Sequence, residues 1–193
     1  LDNLKMHAEG SEFTAVREKR IEVRCPLAGA HQVENAVTAI AALEQLSVTP
    51  EAITEGIAET RWPGRLEVVS RHPDIILDGA HNPAGARALA AHIREFYTDR
   101  RVWLVYGAMR DKSVEEITEI LFPLAQEVIL TAPSAPRAIR PEALLEAADH
   151  SSMRAVPDLG AALRLAREAA PEDVVFITGS LYVVGEARAL LVE

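Results

Sequence analysis

The sequence predicts an α/β fold with a mainly parallel sheet and helices on both faces. Three features carry this reading. From Leu66 onward, short apolar runs alternate with segments of helical periodicity, the pattern of successive βα units. The runs Ile75–Leu77, Val128–Leu130 and Val174–Ile177 are apolar at every residue, as strands covered on both faces must be. Helix starts are marked by Asn82-Pro83, by Asp158, and by Ser113-Val-Glu-Glu116, which reads as a capping box.

The elements follow in order. Phe13 to Val23 alternates apolar and charged residues and reads as one strand-like stretch. A small-residue loop, Leu27 to His31, leads into a helix over 32–46, with Val33, Ala36, Val37, Ile40 and Leu43 on one face. Thr49-Pro50 begins a second helix through Ile53 and Ile57. Arg61-Trp-Pro-Gly64 cannot continue a helix and marks a linker over 59–64, which separates a domain at 1–60 from one at 61–193. Short strands 66–70 and 75–77 flank a turn at His72-Pro73. Helix 83–97, strand 102–106, helix 113–121, strand 128–130, helix 141–148, a short strand at 154–156, helix 158–169, strand 174–177 and a last helix to Leu191 complete the pattern.

Composition narrows the function. The chain has 193 residues, 49% of them hydrophobic and 25% charged, which is ordinary globular composition. Twenty basic against 29 acidic residues give a net charge of −9, which argues against a nucleic-acid partner. The single cysteine, Cys25, excludes a disulfide within the chain and a cysteine-based zinc site, and reads as an inert small residue. No apolar run reaches membrane-spanning length and no signal peptide opens the chain, so the expected location is cytoplasmic with no membrane partner. The sequence has no GxxxxGK[ST] phosphate loop, no GxGxxG and no HExxH.

In open α/β sheets, ligands gather at the carboxyl ends of the strands. Four such ends carry polar, charged or glycine residues: Asp78-Gly-Ala-His-Asn-Pro83, Gly107-Ala-Met-Arg-Asp-Lys112, Thr131 to Arg137, and Thr178-Gly-Ser180. Asp78 and His81 form a dense polar cluster at a helix N-terminus, a setting that suits sugar hydroxyls and anions. Each residue also has a plainer reading. Asp78 could simply end a strand, Lys112 could be a surface lysine, Ser180 could be only an N-cap, and Arg137 and Arg65 could be solvated. Asn35 sits in a helix, where asparagine is mildly unfavourable and a partner would be welcome. Met109 and Trp103 read as core.

Gly29-Ala-His-Gln-Val-Glu-Asn-Ala36, Trp62-Pro-Gly-Arg-Leu-Glu67, Asp78-Gly-Ala-His-Asn-Pro83, Thr178-Gly-Ser-Leu-Tyr182 and Val184-Gly-Glu-Ala-Arg188 together resemble folylpolyglutamate synthase/dihydrofolate synthase, a branch of the Mur ligase superfamily. The resemblance implies that 61–193 is the Rossmann-like C-terminal domain of that family. It implies that 1–60 is the trailing part of a central ATPase domain. The implied activity is an ATP-dependent ligase that adds L-glutamate to dihydropteroate or a folate through an acyl phosphate. The implied cofactors are ATP and Mg2+, with the Mg2+ ligands outside this sequence. By the same resemblance, Arg65 and His81 are catalytic. Asn35, Arg65, Asp78 and His81 bind nucleotide, and Lys112, Ser180 and Arg137 bind glutamate. A hinge between the domains would let nucleotide close the site. The chain begins at Leu1 without the phosphate loop, so it is expected to be a C-terminal piece, inactive without the N-terminal part; the resemblance implies a monomer. Two alternatives stay open: another Mur-type amide ligase such as one of cell-wall peptide synthesis, and a non-catalytic interaction or nucleotide-sensing module.

Overall fold

The computed structural model describes residues 1–16, 19–110 and 113–192. The chain divides into two compact units, Leu1–Pro63 and Gly64–Glu193.

The first unit holds an antiparallel sheet of β1 (Asp2–His7), β2 (Gly10–Val16) and β3 (Arg20–Cys25), followed by α1 (Ala30–Gln45) and α2 (Pro50–Ala58). This corrects the reading of 13–23 as one stretch. The chain reverses, so that Val16 pairs with Arg20 and Ser11 with Cys25. The buried residues Phe13, Ala15, Ile21, Val23 and Cys25 all fall at odd positions, so one period-2 pattern runs through both strands of the hairpin and hides the turn. They share a core with Val33, Ala36, Ile40, Ile53 and Ile57 of the two helices. The Thr49 side chain caps α2 by accepting the Ala52 N–H.

The second unit contains β4 (Glu67–Ser70), β5 (Asp74–Leu77), α3 (Pro83–Phe96), β6 (Val102–Tyr106), α4 (Val114–Leu121), β7 (Glu127–Leu130), α5 (Pro141–Ala147), β8 (Met153–Ala155), α6 (Leu159–Ala166), β9 (Val174–Thr178) and α7 (Leu181–Leu191). The sheet order is β4-β5-β9-β6-β7-β8. Only β4 runs antiparallel to its neighbour; the other pairings are parallel. The expected α/β fold is therefore the observed one.

Alternate residues of each central strand face opposite helix layers. Leu77, Trp103, Val105, Ile129, Val175 and Ile177 pack against α6 and α7 through Leu159, Ala162, Val183 and Ala187. On the other face, Phe176 meets the ring of Tyr97 edge-on at the end of α3. Tyr106 does the same with Phe122 just beyond α4. Each such side chain contributes about 1.5–3 kcal/mol on full burial, so this sheet is the rigid frame of the unit. Asn82 and Asp158 cap α3 and α6 through the Gly85 and Ala161 amides. Ser113 does not: its side chain makes no capping bond, so the expected capping box is not formed.

At the amino end of the strands the charges are paired among themselves. Asp74 binds Arg100, Glu127 binds Arg101 and lies near Arg154, and Asp173 accepts the Trp103 indole N–H. The Ser152 hydroxyl, helped by Arg101 and Arg154, holds Glu127 below the usual carboxylate range. The carboxyl end is built differently.

Candidate functional site

Four strand ends, those of β5, β9, β6 and β7, are stitched together by backbone hydrogen bonds. The Gly179 N–H donates to Ala80 O, the Gly107 N–H to Thr178 O and the Thr131 N–H to Tyr106 O. The loops 78–83, 107–110, 131–140 and 179–180 are thereby brought to one rim. Beyond them, the Arg110 N–H reaches Arg137 O and the Ile139 N–H reaches Ala108 O, which ties the loop after β7 to the loop after β6.

Asp78 is 7% exposed. Its two carboxylate oxygens accept different backbone amides: Oδ1 takes the Ala80 N–H at 3.0 Å and Oδ2 takes the Leu66 N–H at 3.1 Å. Burial raises its pKa to about 6, against the two amides and the charges of Arg65 and His81, which lower it. Leu66 sits at φ 48°, a left-handed conformation that is strained for a branched side chain. The Asp78 bond is one of the forces holding it there. The Gly79 N–H donates to Gly64 O, and Gly64 itself has φ 72°. Arg65 lies between these two residues. Its Nη1 packs over Gly79, where an added Cβ would stand only 2.7 Å away.

The titration of Asp78 has a direct consequence for stability. The unfolded carboxyl titrates near 3.8 and the native one near 6, so between these pH values the native state keeps a proton that the unfolded chain releases. Its contribution to stability is therefore full below pH 4 and is lost as pH rises through 6, a loss on the order of 3 kcal/mol. Urea midpoints measured from pH 4 to pH 7 should show this fall in the native protein and a flatter profile in Asp78→Asn. Parallel profiles would rule out a buried, shifted Asp78.

His81 is half-buried, and its Nδ1 lies 2.8 Å from Gly79 O. A carbonyl can only accept, so Nδ1 carries hydrogen and Nε2 is the nitrogen left to exchange a proton. Ser180, 2% exposed, caps α7: its Oγ accepts the Tyr182 N–H at 3.0 Å. Capping uses an oxygen lone pair and leaves the hydroxyl proton available to donate. His81, Arg137, Gly179, Ser180 and Tyr182, with Met109 and Leu181, line a cavity of about 130 Å³.

The structure thus brings together Arg65, Asp78, His81, Arg137 and Ser180. Asn35 lies in the other unit, exposed on α1, with its side-chain amide donating to Gln32 Oε1 at 3.0 Å. Lys112 lies outside the described residues. Met109 is core, as expected, but also forms cavity wall. Tyr182 and Leu181 were not anticipated. Both are more than half exposed at the start of α7, and an exposed aromatic in the first turn after a Thr-Gly-Ser cap is the signal that could have marked them. Cys25 is buried, and burial pushes its thiol up, which disfavours the thiolate and agrees with an inert residue. Among the described residues, no group of three His, Cys, Asp or Glu side chains is placed to hold a metal ion. No helix of the described chain is long and apolar enough to cross a membrane.

The chain resembles several proteins named as folylpolyglutamate synthases. It is 38% identical over 188 residues to a probable bifunctional folylpolyglutamate synthase/dihydropteroate synthase of Haloferax volcanii, matching 94% of this chain and 22% of that protein. Its fold superposes on Mycobacterium tuberculosis folylpolyglutamate synthase complexed with ADP and AMPPCP, with TM-score 0.91 and 30% identity, over 99% of this chain and 47% of that one. It also superposes on the bifunctional folylpolyglutamate synthase/dihydrofolate synthase of Yersinia pestis complexed with AMPPNP and Mn ion, with TM-score 0.82 and 30% identity, over 94% and 43%. The chain spans less than half the length of each of these three proteins. Residues 64–181, which contain the whole rim from Arg65 to Ser180, match the model of the Mur ligase glutamate ligase domain, and the chain belongs to that family.

Proposed function

We propose that this chain serves an ATP-dependent ligase that joins L-glutamate to dihydropteroate or a folate. In the proposed reaction the acceptor's carboxylate takes the γ-phosphoryl group of ATP. The amine of glutamate then attacks the acyl carbon, forming the amide bond and releasing phosphate. The observation that carries the reading is the cavity at the carboxyl end of the sheet. In a chain of net charge −9, it gathers Arg137, His81 and the N-terminus of α7 around the Ser180 hydroxyl. Its volume is below the ~300–1,000 Å³ of pockets for drug-sized ligands, so it suits an amino acid rather than a pteridine.

The roles proposed for the residues are supported in part by the geometry and in part by the resemblance. Ser180 and Arg137 hold a carboxylate of the incoming glutamate, one by a hydroxyl hydrogen bond and one by charge. Lys112 is assigned to the same ligand by resemblance. Arg65, on its pinned turn, presents a guanidinium to the phosphates, whose planar fork suits their oxygens. His81 Nε2 stands ready to receive a proton from the glutamate amine. Asp78 has spare lone pairs beyond its two amide bonds, and these are assigned to the ribose hydroxyls; Asn35 is assigned to the adenine side. A divalent metal, such as accompanies the nucleotide in the Yersinia pestis structure, finds no donor set among the described residues, and no step is assigned through it. The use of ATP and folate fits a cytoplasmic setting, and the monomeric state is assigned by resemblance alone.

In the polypeptide that the gene encodes, Ser180→Ala should raise KM for L-glutamate about tenfold, the worth of one hydrogen bond to a charged group, with KM for ATP within twofold. A change confined to ATP or to the pterin substrate would remove Ser180 from the glutamate site.

A further inference from the structure

The segment Gly185-Glu186-Ala187-Arg188 of α7 lies beyond the first turn that lines the cavity, yet its two charged residues are both tied to the loops that carry the site's arginines. Two positions on a helix diverge by ~200°, so Glu186 and Arg188 reach opposite flanks. On one flank, Arg188 Nε–H is shared by Glu67 Oε1 and Oε2 at 3.0 and 3.1 Å. Glu67 Oε2 also accepts the Gly64 N–H at 2.8 Å, directly before Arg65. On the other flank, Glu186 accepts the Ser134 N–H at 2.8 Å and the Ser134 hydroxyl at 3.1 Å. Ser134 lies three residues before Arg137, in a loop stiffened by Pro133 and Pro136.

We propose that Glu186 and Arg188 are positioning residues: α7 acts as a strut that clamps the Gly64–Leu66 turn through Glu67 and the 133–137 loop through Ser134, and so fixes Arg65 and Arg137 relative to Ser180 on its own N-terminus. The energetic logic is preorganisation. A guanidinium stabilises a developing charge only if it is already in place, and neither arginine-bearing loop is a regular element that would hold itself. The clamps use charged acceptors on backbone amides, which are stronger than neutral ones. The functional half of this proposal rests on the ligase reading above; the structural half does not.

The test pairs amide hydrogen exchange with kinetics in the encoded polypeptide. Arg188→Gln and Glu67→Gln should each speed exchange at the Gly64 amide roughly tenfold and leave Ser134 unchanged, and Glu186→Gln should do the reverse. Arg188→Gln should lower kcat several-fold with KM for glutamate within twofold, and its effect should vanish in an Arg65→Ala background. Glu186→Gln should raise KM for glutamate with kcat nearly unchanged. Unchanged exchange at the clamped amide, or faster exchange at both sites in either variant, overturns the strut. So does local loosening without a kinetic effect where Arg65→Ala is itself damaging. If Arg65→Ala and Arg137→Ala both leave the kinetics unaltered, the ligase roles of the arginines fail, and exchange alone then decides the clamps.

Discussion

Replacing Arg65 with alanine should lower kcat of the proposed ligase about 10²-fold or more, with KM for glutamate little changed. The size follows from what one preorganised donor contributes to a transition state that spreads charge over phosphoryl oxygens. The location follows from the turn. Gly64 is bonded at both its N–H and its carbonyl, and Leu66 is bonded to Asp78, so the residue between them has little backbone freedom to lose on binding. Arg65→Lys should recover only part of the loss, because an ammonium keeps the charge but not the fork. Steady-state kinetics and thermal melting of both variants check this. A fall in melting temperature matched by the loss of rate would mean that Arg65 is structural, and unaltered kinetics would remove it from the reaction.

The rim itself was legible in the sequence. Short, fully apolar runs bounded by turns and alternating with helical segments read as buried strands, the polar loops after parallel strands cluster at one end, and Asp78, His81, Arg137 and Ser180 meet there. The turn that presents Arg65 was legible only as a break in helical pattern. Pro63-Gly64 marks a turn, but nothing in a leucine announces a positive φ, and the bond from Leu66 to Asp78 spans twelve positions. The ties from Glu67 and Glu186 to α7 are likewise long-range and leave no periodic trace. Leu181 and Tyr182 read as the first turn of a helix, and a helical pattern alone does not show that this turn also walls a cavity. The N-terminal hairpin is hidden because its pattern is too regular, with odd positions buried on both strands. The capping box failed because Ser113 has ψ 70°, outside the extended geometry from which a cap can reach back. Local rules therefore located the layers and the rim, while tertiary contacts decided which loops are rigid.

Gly179→Ala should destabilise the protein by about 2–6 kcal/mol and abolish binding at the cavity. Gly179 links β9 to α7 at φ 99°, a conformation that costs an L-residue about 1–3 kcal/mol. A methyl group there would also meet the Tyr106 ring at 2.6 Å and Gly107 O at 2.7 Å. Tyr106 is fully buried against Phe122, and Gly107 is itself held by Thr178, so neither neighbour can retreat without moving a strand. Overpacking of this kind costs a further ~1–3 kcal/mol. Relief by shifting Gly179 would break its N–H bond to Ala80, and the Ser180 cap would swing away from His81 with it. Stability and chemistry therefore fail together at this residue, whereas at Ser180 they separate, since losing the cap costs only ~1 kcal/mol while the proposed glutamate contact is lost outright. Urea titration alongside glutamate KM for the two variants measures the difference. A Gly179→Ala protein with native stability would show that the Thr178–Ser180 turn has room the structure denies it.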